Sequence, residues 1–447
     1  MADHHSPPAP VLFKPANDYS DMDAEAPLEK PKPEQPAPTP PPNGGLVAWL
    51  QVLGAFFLMF NTWGLSNTFG IFQSEYSTSF LSDSSESAIS WIGSLQAFLM
   101  LVVCVVCGSL LDRGHFYPTL TLGIFLEVFG MMMTSLATKY YQVLLAQGVT
   151  VGLGAGMVFI PAIQIVGTYF STRRSTAMGL AATGSGVGGI VYPLILRSLI
   201  TSLGLRWAVR VMAFVMLGTL LIPLAVMRPR PSPRRKPPPA TPAPSIQTAI
   251  KETLPLPFAL FLLAIFLLYI GLYIPFFYID AFALTIPDLP ASLSSNLLLI
   301  MNAASLPGRV LPAMLADRIG NLSIIIPATL LGGVAALAWS RVHDAGGLVA
   351  VAVLLGFASG SIQAVVPGVV VLLCPDLGRL GRNIGLMLAV SGVGLLVGSP
   401  VAGVILEHGG EEGFWGLFVF AGVMVVAAGV LMAVVRVVKV GFAIVKA

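Results

Sequence analysis

Residues 181–193 read AATGSGVGGIVYP, and the spacing Gly184-x-Gly186-x-x-Gly189 satisfies a dinucleotide-binding fingerprint letter for letter. That fingerprint functions only where a strand leads into it, a helix opens on it and an acid follows about 20 residues later. Here the glycines lie inside an apolar run that starts just after Arg173 and Arg174, with no ribose-binding acid at the required distance. The string Ser185-Gly186-Val187-Gly188 recurs intact as Ser391-Gly392-Val393-Gly394, 206 residues on and again within an apolar run. Small residues let helix backbones approach closely in lipid, where packing replaces the hydrophobic drive between helices. Gly179, Gly184, Gly186, Gly188 and Gly189 are therefore expected at a close helix crossing, one of two symmetry-related copies.

The composition points the same way. Of 447 residues, 55% are hydrophobic and only 10% charged, with a mean hydropathy of +0.84. A soluble domain carries about 25% charged residues, so most of this surface must face lipid. A net charge of +3 without a basic, aromatic-interleaved patch speaks against nucleic acid. Residues 1–45 are rich in proline and acid, carry no apolar signal-peptide core, and read as a disordered cytosolic tail.

A helix needs roughly 20 mostly apolar residues to cross the hydrocarbon core. Twelve stretches qualify: 46–72, 88–111, 117–137, 141–166, 175–198, 207–227, 257–280, 294–315, 321–340, 346–372, 383–406 and 414–436. The polar Pro/Arg-rich stretch 228–256 splits them six and six, giving an N-terminal half over 46–227 and a C-terminal half over 257–436. With the N-terminus in the cytosol, the inner side holds 18 Lys and Arg residues. The outer side holds five, namely Lys139, Arg197, Arg206, Arg210 and Arg341. That bias follows the positive-inside rule and puts both termini, including the tail 437–447, in the cytosol of a multi-pass membrane protein.

The two halves share more than the glycine string. At the same offset Gly154 pairs with Gly360, Pro161 with Pro367, and Arg173 with Arg379. One residue off that register, GSLLDRG (108–114) matches AMLADRIG (313–320), aligning Asp112 with Asp317 and Arg113 with Arg318. Repeated six-helix halves are a transporter architecture, with the substrate site between them near the bilayer midplane. The fold class is all-α: twelve transmembrane helices in two halves.

Gly108-x-Leu110-x-Asp112-Arg113 resembles the signature loop of the major facilitator superfamily. NGGLVAW (43–49) is similar to the motif leading into span 1 of its monocarboxylate porter family, and YFSTRRSTAMGLAATGSGVGG (169–189) follows that family's span 5 motif. The span 1 style GAFFLMFNTWGLSNTFGIFQ (54–73) looks most like fungal members. The resemblance implies alternating access, a gating role for Asp112, Arg113, Asp317, Arg318 and Arg173, and coupling to protons.

Charged side chains deep in a span are functional by default. Arg309, within NAASLPGRVLPAML, matches the arginine with which family members hold a substrate carboxylate. A guanidinium grips such a group in bidentate fashion. Glu127, near the middle of span 3, is either a protonation site or a packed structural glutamate. Two departures are plain: the acid one turn before the span 8 arginine is Ser305 here, and the span 1 lysine of lactate-type carriers aligns, with one gap, on Asn67. A larger, partly apolar organic solute suits this sequence better than lactate. Span membership puts Asn67, Gln164, Tyr273, Asn302 and Gln363 along its path with Arg309.

Other chemistry finds little support. Cys104-x-x-Cys107 lies in the middle of an apolar span with no second pair or histidine beside it, and the five histidines fall in the tail or loops. No metal, cofactor or ATP-binding loop is expected, and no enzymatic activity. The expectation is a secondary active transporter in the cell membrane, moving a small organic acid or secondary metabolite, as an efflux pump or an importer. A membrane oxidoreductase would need a nucleotide domain. A non-transporting nutrient sensor on the same fold would need a long folded cytosolic extension.

Overall fold

The computed structural model describes residues 42–170, 174–230, 255–286, 289–294, 296–342, 344–374, 380–410 and 413–441, with the backbone alone for Ser109, Asp112, Arg174, Ser175, Ala291, Ser292, Asp317, Leu380 and Val440. Most of the expected tail and interdomain stretch, and Arg173, lie outside these residues. Among the described residues there is no strand, and eleven helices are long and apolar enough to cross a bilayer. In chain order they include α1 (Leu46–Phe80), α2 (Glu86–Asp112), α3 (Phe116–Leu136) and α4 (Tyr140–Tyr169). After the 53-residue helix Arg174–Val226 follow α7 (Leu256–Ala283), α8 (Leu297–Ile319), α9 (Asn321–Trp339), α10 (Ala345–Leu373), α11 (Leu380–His408) and α12 (Gly413–Val440).

Eleven helices stand where twelve spans are expected because Arg174–Val226 is continuous by hydrogen bonding. At ~1.5 Å per residue it would be roughly 80 Å long, more than twice a bilayer core. Gly204 interrupts it at φ 77° and ψ 163°, a backbone conformation that side chains oppose. It divides the helix into α5 (174–203) and α6 (205–226). Neighbours give the two segments opposite directions. Along α5, Gly184 meets Phe56 and Gly188 meets Phe60, so α5 runs with α1. Along α6, Arg210 donates to Ser135 while Tyr117 donates to the Met227 carbonyl, so α6 runs against α3. Counted as two helices, these segments bring the long apolar helices among the described residues to twelve, in line with the expected number of spans.

The repeat seen in the sequence is visible in the backbone. The α-helix of α1 stops at Asn67 and restarts at Phe69, broken at Thr68 with φ −86° and ψ −11°. That of α7 stops at Leu272 and restarts at Ile274, broken at Tyr273 with φ −94° and ψ −10°. Gly114 and Gly320, the glycines of the two matched loops, follow α2 and α8 at φ 93° and 95°.

Exposed large side chains complete the membrane reading. Val106, Phe125, Phe214, Val334 and Val430 lie outward along their helices, as lipid-facing residues do. Exposed Trp and Tyr occupy the ends: Trp49 and Tyr117 at the end where α1 begins, and Trp91, Tyr141, Trp207 and Trp415 at the opposite, distal end. Such belts mark the two bilayer interfaces. Inside, α2 packs along α11 and α5 along α8, forming the seam between the two sets of six helices.

Candidate functional site

The glycine run of α5 serves two contacts at once. Gly184 and Gly188 fall four residues apart, on one face, and take the backbones of Phe56 and Phe60 of α1. A methyl group on Gly64 of α1 would stand 2.7 Å from the Cα of Gly188, so these helices touch backbone to backbone. Gly186 and Gly189 lie on another face, toward α8, where they meet Leu306 with Arg309, and Asn302. The second copy divides labour in the same way. Gly392 faces Phe98 and Leu101 of α2 across the seam, while Gly394 faces Phe266 of α7 in its own set. Gly179 has nothing among the described residues within 4 Å of where a side chain would begin, so the crossing they form does not include it.

On α8 the residues facing this gap are Asn302, Ser305, Leu306 and Arg309, spaced three and four apart along one stripe. Arg309 is 1% exposed. Its Nη1 donates to Ser305 Oγ at 2.5 Å and its Nη2 to Gln363 Oε1 of α10 at 3.5 Å. Among the described residues no carboxylate lies within ion-pair distance of it; the single ion pair there joins other residues. Ser305 thus solvates the guanidinium without neutralising it. A buried cation so held is available to an anionic ligand.

Several neighbours present unused polar atoms. Tyr273, at the break in α7, is 2% exposed, its hydroxyl has no hydrogen-bond partner among the described residues, and it lies within electrostatic reach of Arg309. Asn302 donates to the Leu298 carbonyl while its own Oδ1 stays unpaired, and Asn67 Oδ1, buried at the end of the first α1 segment, is likewise unpaired. Arg309, Gln363, Asn302 and Tyr273 are thus gathered about one stretch of the seam. Gln164 does not join them by any described contact; it is half-buried against Gly108, near the C-terminal end of α2.

Glu127 of α3 is fully buried, and among the described residues neither carboxylate oxygen is hydrogen-bonded. Gly154 of α4 packs against its backbone, and Tyr192 of α5 is within electrostatic reach. The Tyr192 hydroxyl donates to Asn61 of α1 at 2.5 Å, and Asn61 is paired with Thr219 of α6 at 3.1 Å. This polar cluster joins α1, α5 and α6 within the N-terminal six helices, with Glu127 of α3 beside it. Of the expected gating residues, Arg113 and Arg318 are exposed at matching helix ends. The side chains of Asp112 and Asp317, and the whole of Arg173, lie outside what is described.

A second cluster, at the distal end, escaped sequence reasoning. Arg197 of α5 and Asp280 of α7 form an ion pair across the seam at 2.7 Å, with Asp280 nearly buried. Beside it lies a cavity of about 320 Å³ lined by Ile71, Glu75, Thr201 and Leu284 as well as the pair itself. The Ser87 amide of α2 donates to Glu407 of α11 at 2.9 Å, Ser87 Oγ donates to the Pro400 carbonyl at 3.0 Å, and Ser90 hydrogen-bonds Tyr278. The rings of Phe69 and Phe277 meet at 4.9 Å. The distal end is therefore held shut. The available signal was Asp280 itself, an acid inside the apolar run FFYIDAFA, but nothing in the sequence names Arg197 as its partner.

Residues 51–345 and 297–443 match the Major Facilitator Superfamily. The chain belongs to that superfamily. It is a multi-pass membrane transporter and not an enzyme. Among curated relatives it is 43% identical over 430 residues to the MFS-type transporter dbaD of Emericella nidulans, covering 94% of this chain and 95% of that one. The Fujikurins efflux protein of Gibberella fujikuroi is 38% identical over 387 residues, 86% of this chain and 81% of the relative. The Aspyridones efflux protein apdF of Emericella nidulans is 34% identical over 400 residues, 89% and 80% of the two chains.

Proposed function

We propose that this transporter exports an anionic secondary metabolite across the plasma membrane, holding the anion on Arg309 between the two sets of six helices. The observation that carries this reading is a buried guanidinium at the seam, solvated by Ser305 and Gln363 and facing no carboxylate among the described residues. The relatives named as efflux proteins support the direction. The motifs at 43–49 and 169–189 support placement in the monocarboxylate porter branch, with Ser305 and Asn67 marking a departure from lactate-type carriers. Both chain termini lie in the cytosol in this reading, on the strength of the charge bias, so the distal clasp faces outward and closes the exit.

Alternating access by rocking of two halves then has a physical path. The Arg197–Asp280, Ser87–Glu407 and Ser90–Tyr278 contacts must part for release, while Asp112, Arg113, Asp317, Arg318 and Arg173 form the gate on the cytosolic side. Protons supply the drive, through Glu127. The test compares metabolites inside and outside cells with and without the gene. At least one organic acid should accumulate in the cells that lack it and leave the medium. Identical profiles for every acid would refute export.

A further inference from the structure

The rings beside Arg309 narrow the cargo further, on the reading that Arg309 holds its acidic group. Trp63 of α1 and Tyr273 of α7 belong to opposite sets of six helices, and they stack across the seam with centroids 5.7 Å apart and planes 25° from parallel. Tyr269 continues the stack behind Tyr273 at 6.2 Å and 24°, and Phe159 of α4 meets Trp63 edge-on at 5.9 Å. Four of the six tryptophans lie exposed at the bilayer ends, whereas Trp63 is buried in mid-helix at the seam.

A plug that merely filled the seam would not need aligned rings; the edge-on contact of Trp63 with Phe159 fills space as well. Near-parallel faces on two bodies that move apart are different. A flat ring inserted between two others needs them about 7 Å apart, two layers of about 3.5 Å each. Rings with centroids 5.7 Å apart are offset-stacked face to face, so they reach that after parting by about one further ring thickness, on the order of 3.5 Å. The unpaired Tyr273 hydroxyl and Asn302 Oδ1 would meet polar groups on the edge of such a ring, with Arg309 alongside to take its charge.

We propose that the cargo is a planar, conjugated acid whose ring slides between Trp63 and Tyr273 while its anionic group sits on Arg309. An aliphatic acid of equal charge would find Arg309 but gain nothing from the two parallel faces, since aromatic pairing rewards flatness beyond buried area.

The test uses purified full-length protein in nanodiscs and three matched probes: naphthalene-2-carboxylate, its saturated decahydro analogue, and naphthalene-2-carboxamide. Calorimetric titration should give tighter binding of the naphthoate than of the saturated acid by about three- to tenfold. Trp63→Leu should shrink that ratio to within about twofold while keeping the preference for acid over amide, and Trp63→Tyr should keep both. Should Trp63→Leu fail to fold, Tyr273→Leu is read in the same way. The slot is refuted if the naphthoate does not bind, if both acids bind the wild type equally, or if the flat-ring preference survives removal of a ring. An acid-over-amide preference that survives in Arg309→Gln refutes the Arg309 anchor instead, and leaves the ring result standing by itself.

Discussion

Arg309 of α8 fills space that Gly186 of α5 leaves free: a methyl group on Gly186 would stand 3.0 Å from Nη1 of Arg309 and 2.5 Å from Cδ2 of Leu306. The glycine motif and the buried cation, 123 residues apart in sequence, are two sides of one contact. Gly186→Ala should therefore displace the guanidinium and cut flux about tenfold or more at equal membrane abundance, in keeping with overpacking costs of ~1–3 kcal/mol. Gly392→Ala changes the same motif in its second copy, where a methyl would meet the Phe98 ring at 3.3 Å. It should cost less than about threefold. Equal effects at the two glycines would show that Arg309 does not depend on Gly186.

Arg309→Lys keeps the charge but loses the planar fork that reaches Ser305 and Gln363 together. Flux of the acid should fall at least about tenfold, with insertion into the membrane unchanged. A lysine variant transporting at the wild-type rate would mean that charge alone suffices.

The Arg197–Asp280 pair should hold the distal end closed. Cys104, Cys107 and Cys374 are all buried, so a cysteine introduced at Ile71, beside the cavity, reports on opening. In Asp280→Asn its labelling by a membrane-impermeant thiol reagent should rise about tenfold, the equivalent of ~1.4 kcal/mol. Exchanging the two charges, Arg197→Asp with Asp280→Arg, should reverse most of the rise. Unchanged labelling in Asp280→Asn would remove the pair from the gate.

Glu127→Gln preserves shape and polarity while removing the titratable proton. If Glu127 carries the drive, flux measured at external pH 6 and pH 8 differs in the wild type and not in the variant. Tyr192, the titratable group facing it, makes Tyr192→Phe the companion variant, which should keep the pH difference because it leaves the carboxyl in place. A glutamine variant with the full pH difference would assign Glu127 to packing alone.

The spans were legible because 20-residue apolar runs are a strong signal, and the repeat was legible because its glycines are fixed by backbone contact. What a glycine touches was not. The sequence treats Gly179, Gly184, Gly186, Gly188 and Gly189 alike. In the fold, two face α1, two face α8 and Gly179 faces no described neighbour, since each assignment depends on helix rotation. Arg309 stood out by its cost in lipid, and so did Glu127. Span membership groups Gln164 with the residues about Arg309, yet its position along α4 places it against Gly108. The Arg197–Asp280 pair and the Trp63–Tyr273 stack join different halves, and no local pattern carries such pairings.

The central claim, that Arg309 holds an exported acid, is tested most directly by the medium-to-cell ratio of each organic acid in cells expressing wild type, Arg309→Gln or neither. The account predicts at least one acid whose ratio the wild type raises about tenfold and Arg309→Gln, present at equal level in the membrane, leaves at the value of cells without the protein. Ratios as high with Arg309→Gln as with the wild type, for every acid, would contradict it.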